Sequence, residues 1–130
     1  MQRLKALYVL IFFVVFGFIS FAQNSTKSIT VEQLNQKIKS DTNLVILDVR
    51  TLKELTGPLG KISGVINIPI QELDKRVHEL DKYKNREIAV ICRTGGRSLK
   101  GTKLLDKKGF DVENVLGGMT EYRKKGYWFY

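Results

Sequence analysis

Between Glu87 and Gly101 the chain reads Glu-Ile-Ala-Val-Ile-Cys-Arg-Thr-Gly-Gly-Arg-Ser-Leu-Lys-Gly, and Cys92 within it is the only cysteine. A cysteine acts as a nucleophile through its thiolate, and the residues after Cys92 favour that form. The loop Arg93 to Arg97 is rich in glycine, so its backbone N–H groups can turn inward as an anion nest. The following segment reads as a helix, whose N-terminus adds partial positive charge. Arg93 and Arg97 bracket the loop. Each effect lowers a thiol pKa. The competing reading is a buried, inert cysteine, the commonest fate of a free one, and the Gly/Arg loop argues against it.

Such a thiol needs a frame that holds it at an edge. Ile88 to Ile91 is a short apolar run that reads as a buried strand with Cys92 at its C-terminal end. In an open parallel sheet, ligands bind at that edge. Leu44 to Val49, broken only by Asp48, reads as a second buried strand. It carries Asp48 and Arg50 to the same edge. Asp48 is expected to be structural, accepting N–H bonds from its own turn. Arg50 is left between a salt bridge and a substrate contact. Thr30 is a helix N-cap with Gln33 three residues on, as in a capping box, and Val31, Leu34 and Ile38 give the apolar stripe of that helix.

Ile70, Leu73, Val77 and Leu80 predict a second amphipathic helix, followed by a charged loop over Asp81 to Arg86. Val65 to Ile68 reads as a short strand ended by Pro69, and Val112 to Leu116 as the last strand. A helix from about Arg97 to Lys108 ends at Gly109, with Gly101 allowing close packing on the sheet. Gly117-Gly118 permits a tight turn or a nest facing the reactive edge, and Met119 to Lys125 forms a last helix. Helices alternating with apolar strands indicate an α/β fold with a central parallel sheet.

Four motifs carry a resemblance. Cys92-Arg93-Thr94-Gly95-Gly96-Arg97-Ser98 resembles the Cys-x-x-Gly-x-Arg-Ser loop of rhodanese-type sulfurtransferases. Leu47-Asp48-Val49-Arg50-Thr51 resembles their Asp-Val-Arg motif. Gly60-Lys61-Ile62-Ser63-Gly64-Val65-Ile66-Asn67-Ile68-Pro69 resembles Gly-His-Ile-x-Gly-Ala-x-Asn-Ile-Pro, and Val115-Leu116-Gly117-Gly118 resembles Leu-x-Gly-Gly. They occur in the family's order over residues 28 to 126. Lys61 replaces the usual histidine, and the stretch before Gly60 is longer than in the commonest form. Tyr122 stands where the family usually has an aromatic.

The resemblance implies a single rhodanese-like domain over residues 23–130, with helices on both faces of the sheet. It implies a sulfurtransferase that moves sulfane sulfur from thiosulfate or a similar donor to a thiol or cyanide, through a persulfide on Cys92. Arg93, Thr94, Gly95, Gly96, Arg97 and Ser98 are the implied substrate-binding residues, with Asp48 and Arg50 in support. Arg97 has a second role open to it, pinning the loop to the body. Two alternatives stand: a non-catalytic binding or sulfur-carrier module, and a cysteine-dependent phosphatase or arsenate reductase. The last uses Cys-x5-Arg, whereas four residues separate Cys92 from Arg97.

Residues 1–22 read as a secretory signal peptide. Arg3 and Lys5 precede an apolar run, and Ser20-Phe21-Ala22 is a small-x-small cleavage site. A periplasmic or secreted protein is expected. The alternative is an uncleaved anchor, with Ala6 to Ala22 at the short end for a span. No stable membrane insertion is expected after cleavage. The net charge of +9 suits anionic substrates, acidic partners or membrane surfaces, and a solvated lysine-rich face accounts for most of it. No basic stripe with interleaved aromatics points to nucleic acid. The only histidine, His78, reads as a solvated helix residue, so no metal and no cofactor is expected. The acceptor is expected to be a thiol or a protein, and the chain a monomer. Tyr127-Trp128-Phe129-Tyr130 is a dense aromatic end that reads as packing.

Overall fold

A computed structural model describes residues 25–128. The leader expected at 1–22 and the last two residues of the aromatic end lie outside the described residues. Five strands form one sheet in the order β1-β5-β4-β2-β3. They are β1 (Ser28–Ile29), β2 (Val45–Asp48), β3 (Ile66–Asn67), β4 (Ile88–Ile91) and β5 (Val112–Val115). Every pairing is parallel. The connections carry α1 (Val31–Ser40), α2 (Leu52–Leu55), α3 (Ile70–Arg76), a 3₁₀ segment (Val77–Tyr83) and α4 (Gly96–Lys107), and α5 (Gly118–Lys124) closes the chain.

The central strands are buried on both faces because their side chains alternate between two apolar layers. Val45, Leu47, Val49, Ile88, Val90 and Cys92 pack with Leu73 of α3 and Leu105 of α4. Ile46, Ala89 and Ile91 face the other way, against Leu34 of α1 and Met119 of α5. Helices thus cover both faces, as expected. Thr30 and Gln33 form the predicted capping box, and Tyr122 is buried.

The helix predicted through Leu80 is corrected. It stops at Arg76 and continues as a 3₁₀ segment that takes up Asp81 to Tyr83, half of the predicted loop. Three residues per turn put Val77, Leu80 and Tyr83 on one face, and these three pack against the core. An α-helix continued at 3.6 residues per turn would rotate Tyr83 away from that face. His78 is exposed, as expected of a solvated helix residue. Gly101 is buried where a Cβ would come within 3.3 Å of Leu73 and 3.5 Å of Val90, so its absent side chain lets α4 close on both α3 and the sheet.

Candidate functional site around Cys92

β2 and β4 pair from Val45 with Ile88 to Asp48 with Ile91. That register brings Asp48, Arg50 and Cys92 to one edge. Cys92 is the first residue after β4, and the chain then needs a sharp reversal into α4. Gly95 provides it at φ 110°, a backbone conformation that side-chain-bearing residues avoid. The turn directs the Gly95 N–H at the Cys92 sulfur, 3.1 Å away. The Ser98 hydroxyl, on the first turn of α4, lies 3.3 Å from the same sulfur and 3.1 Å from the Gly95 carbonyl.

A hydroxyl has one proton to give, so its orientation follows the state of the sulfur. With a thiol, S–H donates to the Ser98 oxygen and the hydroxyl donates to the Gly95 carbonyl. With a thiolate, the hydroxyl donates to sulfur. Burial pushes the Cys92 pKa up. The Ser98 hydroxyl and the backbone N–H groups of Ser98, Gly95 and Thr94 outweigh that effect and hold it below the ordinary thiol value. Cys92 is 1% exposed, while Arg93, Thr94 and Gly96 are exposed around it. The sulfur therefore sits at the floor of its own loop.

The arginines divide. Both terminal nitrogens of Arg97 bind the Glu54 carboxylate, at 2.8 and 2.7 Å. This is the pinning role. The Arg97 fork holds the Glu54 carboxyl down to about 2, while the Arg97 pKa is raised in turn. Glu54 is in addition the N3 residue of a capping box with Thr51, so α2 and the loop are tied at one point. Arg93 makes no ion pair among the described residues and leaves its guanidinium to solvent.

Arg50 is 1% exposed and grips Asp48, which is fully buried, at 2.7, 3.0 and 3.1 Å. It also donates to the Gly60 carbonyl at 2.7 Å. Asp48 accepts the Arg50 backbone N–H at 3.0 Å. Asn67 closes the same turn, donating to the Asp48 and Arg50 carbonyls at 2.9 and 2.8 Å. Of the two contacts open to Arg50 the structure shows the salt bridge, and Asp48 accepts an N–H of its own turn.

Gly117 and Gly118 make the tight turn, both at positive φ. The N–H groups of Met119 and Thr120, just beyond it, donate to the carbonyls of Cys92 and Arg93 at 2.8 and 3.0 Å. Those donors buttress the loop rather than face a ligand. A Cβ on Gly118 would lie 2.5 Å from the Cys92 carbonyl oxygen, so only glycine permits the contact. Sequence reasoning missed Glu54. The signal was present: Thr51-x-x-Glu54 is the same capping pattern as Thr30-x-x-Gln33.

The model of the rhodanese-like domain family matches residues 30–125. The candidate sulfur carrier protein YrkF of Bacillus subtilis is 40% identical over 103 residues, covering 78% of this chain. The chain spans only 54% of that protein's length. The candidate sulfurtransferase YtwF of Bacillus subtilis is 38% identical, with 72% of this chain and 86% of that protein covered. Among solved structures, a rhodanese-related protein from Thermoplasma volcanium superposes with a TM-score of 0.71 at 34% identity, covering 78% of this chain and 95% of that one.

Proposed function

The chain belongs to the rhodanese-like family, and on that premise we propose that it moves sulfane sulfur from a thiosulfate-type donor to a nucleophilic acceptor through a persulfide on Cys92. The observation that carries the reading is the sulfur held at 3.1 Å by the Gly95 N–H and at 3.3 Å by the Ser98 hydroxyl. Names of relatives, a sulfurtransferase and a sulfur carrier, support sulfur transfer as the class of reaction.

The Cys92 thiolate attacks the outer sulfur of thiosulfate. The new S–S bond forms, the bond to the central sulfur breaks with its electron pair, and sulfite leaves. An acceptor then attacks the outer persulfide sulfur: cyanide leaves as thiocyanate, and a thiol leaves as a persulfide. Cys92 returns as thiolate, so the scheme is double displacement. The N–H groups around the sulfur stabilise the persulfide anion as they do the thiolate. Arg93 is the cation left open to draw in an anionic donor. Because Cys92 lies at the loop floor, the donor reaches it with a single protruding sulfur atom. The four-residue spacing from Cys92 to Arg97 and the engagement of Arg97 by Glu54 count against a phosphatase, which needs that arginine on the oxyanion.

A sulfur-carrier role is a second reading of the same intermediate, with a protein as acceptor; the likeness to YrkF favours it. The proposed setting is the periplasm or the medium, reached through the leader at residues 1–22, as a monomer without stable membrane insertion.

Intact mass after incubation with thiosulfate tests the reaction. The wild type gains one sulfur that cyanide discharges, and Cys92→Ala gains none. A wild type with a free thiol that gains no sulfur overturns it. The same spectrum of exported protein begins at Gln23 if the leader is removed.

A further inference from the structure

Several lysines of this chain meet an acid: Lys37 bonds Glu87 and Glu113, Lys84 meets Asp81, Lys108 meets Asp74 and Lys125 meets Glu32. Lys100, Lys103 and Lys107 of α4 do not. All three are exposed and make no ion pair among the described residues. They follow exposed Gly96 at i+4, i+7 and i+11, so the four positions lie within about 60° of one another around the helix axis. The stripe runs about 16 Å, from the reactive loop, where Arg93 and Thr94 are also exposed, to the last turn of α4. Asp106 is the only acid of α4. It stands about 90° round the axis from the stripe, where it borders another cavity with Thr102, Ser25 and Lys27.

Helix stability does not account for this stripe. Lys100 and Lys103, then Lys103 and Lys107, are like-charged neighbours at i,i+3 and i,i+4, which weakens a helix. Lys100 lies in the second turn, near the positive end of the helix dipole, and the first turn holds no acid to offset it. An anionic partner relieves both. A small anionic donor would use the loop end of the stripe and leave the rest idle. A lipid surface would be held by apolar side chains beside the charges. The exposed large apolar residues are Leu52, Leu116 and Trp128, none of them on α4. A protein that carries a row of acids and a thiol at one end of it would use the whole stripe.

We infer that Lys100, Lys103 and Lys107 form the docking face for a protein sulfur acceptor with an acidic surface, seated so that its thiol meets the persulfide on Cys92. The inference rests on the sulfur-transfer reading. The acceptor thiolate attacks the outer persulfide sulfur, a new S–S bond forms on the acceptor, and the bond to Cys92 breaks with its electron pair, which returns Cys92 as thiolate.

The test loads the protein with sulfur from thiosulfate and discharges it to two peptides, each a cysteine and two glycines followed by six aspartates or six asparagines. Six extended residues reach about 20 Å, enough to follow the stripe. Transfer is read by mass as sulfur gained by the peptide, and each rate is divided by that peptide's rate with a small disulfide, which removes intrinsic thiol reactivity. A corrected preference for the aspartate peptide of about tenfold or more is expected at low salt, falling to within twofold in 0.5 M sodium chloride as the charges are screened. Lys100→Gln, Lys103→Gln and Lys107→Gln together should bring the low-salt ratio to within threefold of unity, with discharge to uncharged dithiothreitol unchanged. Lys82→Gln, Lys84→Gln and Lys124→Gln together remove the same charge from exposed positions elsewhere and should keep most of the preference. Equal losses in the two triple variants would mean that net charge alone acts, and would overturn the docking face. A wild-type ratio near unity overturns it too; binding to phosphatidylglycerol vesicles that only the α4 variant loses would then assign the stripe to lipid. A free Cys92 that takes no sulfur overturns the transfer reading instead. The docking face is then judged by binding of the aspartate peptide to Cys92→Ala, which should weaken about tenfold when the three α4 lysines are replaced; unchanged binding overturns it.

Discussion

The two ends of the sheet bury charge in different ways. At the C-terminal end the buried carboxylate and the reactive sulfur are each met by something rigid. Asp48 is met by the Arg50 fork and a backbone N–H, and the Cys92 sulfur by a glycine N–H and a buried hydroxyl. At the N-terminal end, Glu113 of β5 is fully buried, and its neighbours are Glu87 and two lysines. Lys37 of α1 reaches Glu113 at 2.6 Å and also bonds Glu87, while Lys27 stands 3.6–3.7 Å from Glu113, Glu87 and Asp111. One Glu113 oxygen has no hydrogen-bond partner. Burial, then the Glu87 carboxyl beside it, pushes the Glu113 pKa up, and the shared hydrogen bond holds Glu87 low. The first end is built from forks and amides with fixed directions. The second is built from long flexible ammonium arms, which suit fastening β1 and α1 to the sheet but not holding one atom in place.

Three substitutions test that contrast. Arg50→Met leaves Asp48 charged and unpaired in the interior, and should cost about 3–5 kcal/mol of stability. Urea unfolding at neutral pH measures it; a loss no larger than that of a surface change would remove rigidity as the distinguishing feature of this end. Glu54→Gln breaks the tie from α2 to the loop. The Glu54 pKa is about 2 in the folded chain and near its ordinary value when unfolded. Its contribution is therefore present above about pH 4.5 and is lost as pH falls toward 2. With its partly exposed partners discounted for solvent, it is worth about 1–2 kcal/mol. The variant should lose that much at pH 7 and track the wild type at pH 2, and its Cys92 should alkylate with a different pH midpoint.

Glu113→Gln should have the smallest effect, within about 1 kcal/mol at pH 7. The sign depends on pH: a carboxyl whose folded pKa is raised stabilises below its unfolded value and loses that contribution as pH rises through the folded one. The variant should therefore gain on the wild type from pH 4.5 upward, with Cys92 alkylation unchanged. A gain in the opposite direction, or a change in thiol reactivity, would mean that the two ends are not separate.

Much of this was legible in the sequence because it is local. Cys92 at a strand end, the apolar strands, the Thr30 cap and the turn at Gly109 follow from spacing and residue type alone. What was hidden depends on partners far along the chain. Nothing near Arg97 says that its fork will meet Glu54 rather than a substrate oxyanion, and nothing near Gly118 says that the N–H groups after its turn will go to the Cys92 and Arg93 carbonyls rather than to a ligand. The 3₁₀ segment is a middle case. Val77 and Leu80 are apolar at a spacing that suits either helix, and the choice falls to Tyr83, whose packing against the core requires three residues per turn.

The contact between Gly118 and the Cys92 carbonyl has a consequence for biosynthesis. Cys92 leaves the ribosome before the residues that buttress its loop. Until α5 docks, the carbonyls of Cys92 and Arg93 lack the N–H groups of Met119 and Thr120. In the nascent chain, or in one cut short before Gly117, the Cys92 loop therefore lacks that buttress. The order of synthesis thus sets an order of assembly at this site: the loop that brings Gly95 and Ser98 to the sulfur is made first, and the turn that braces it is made last.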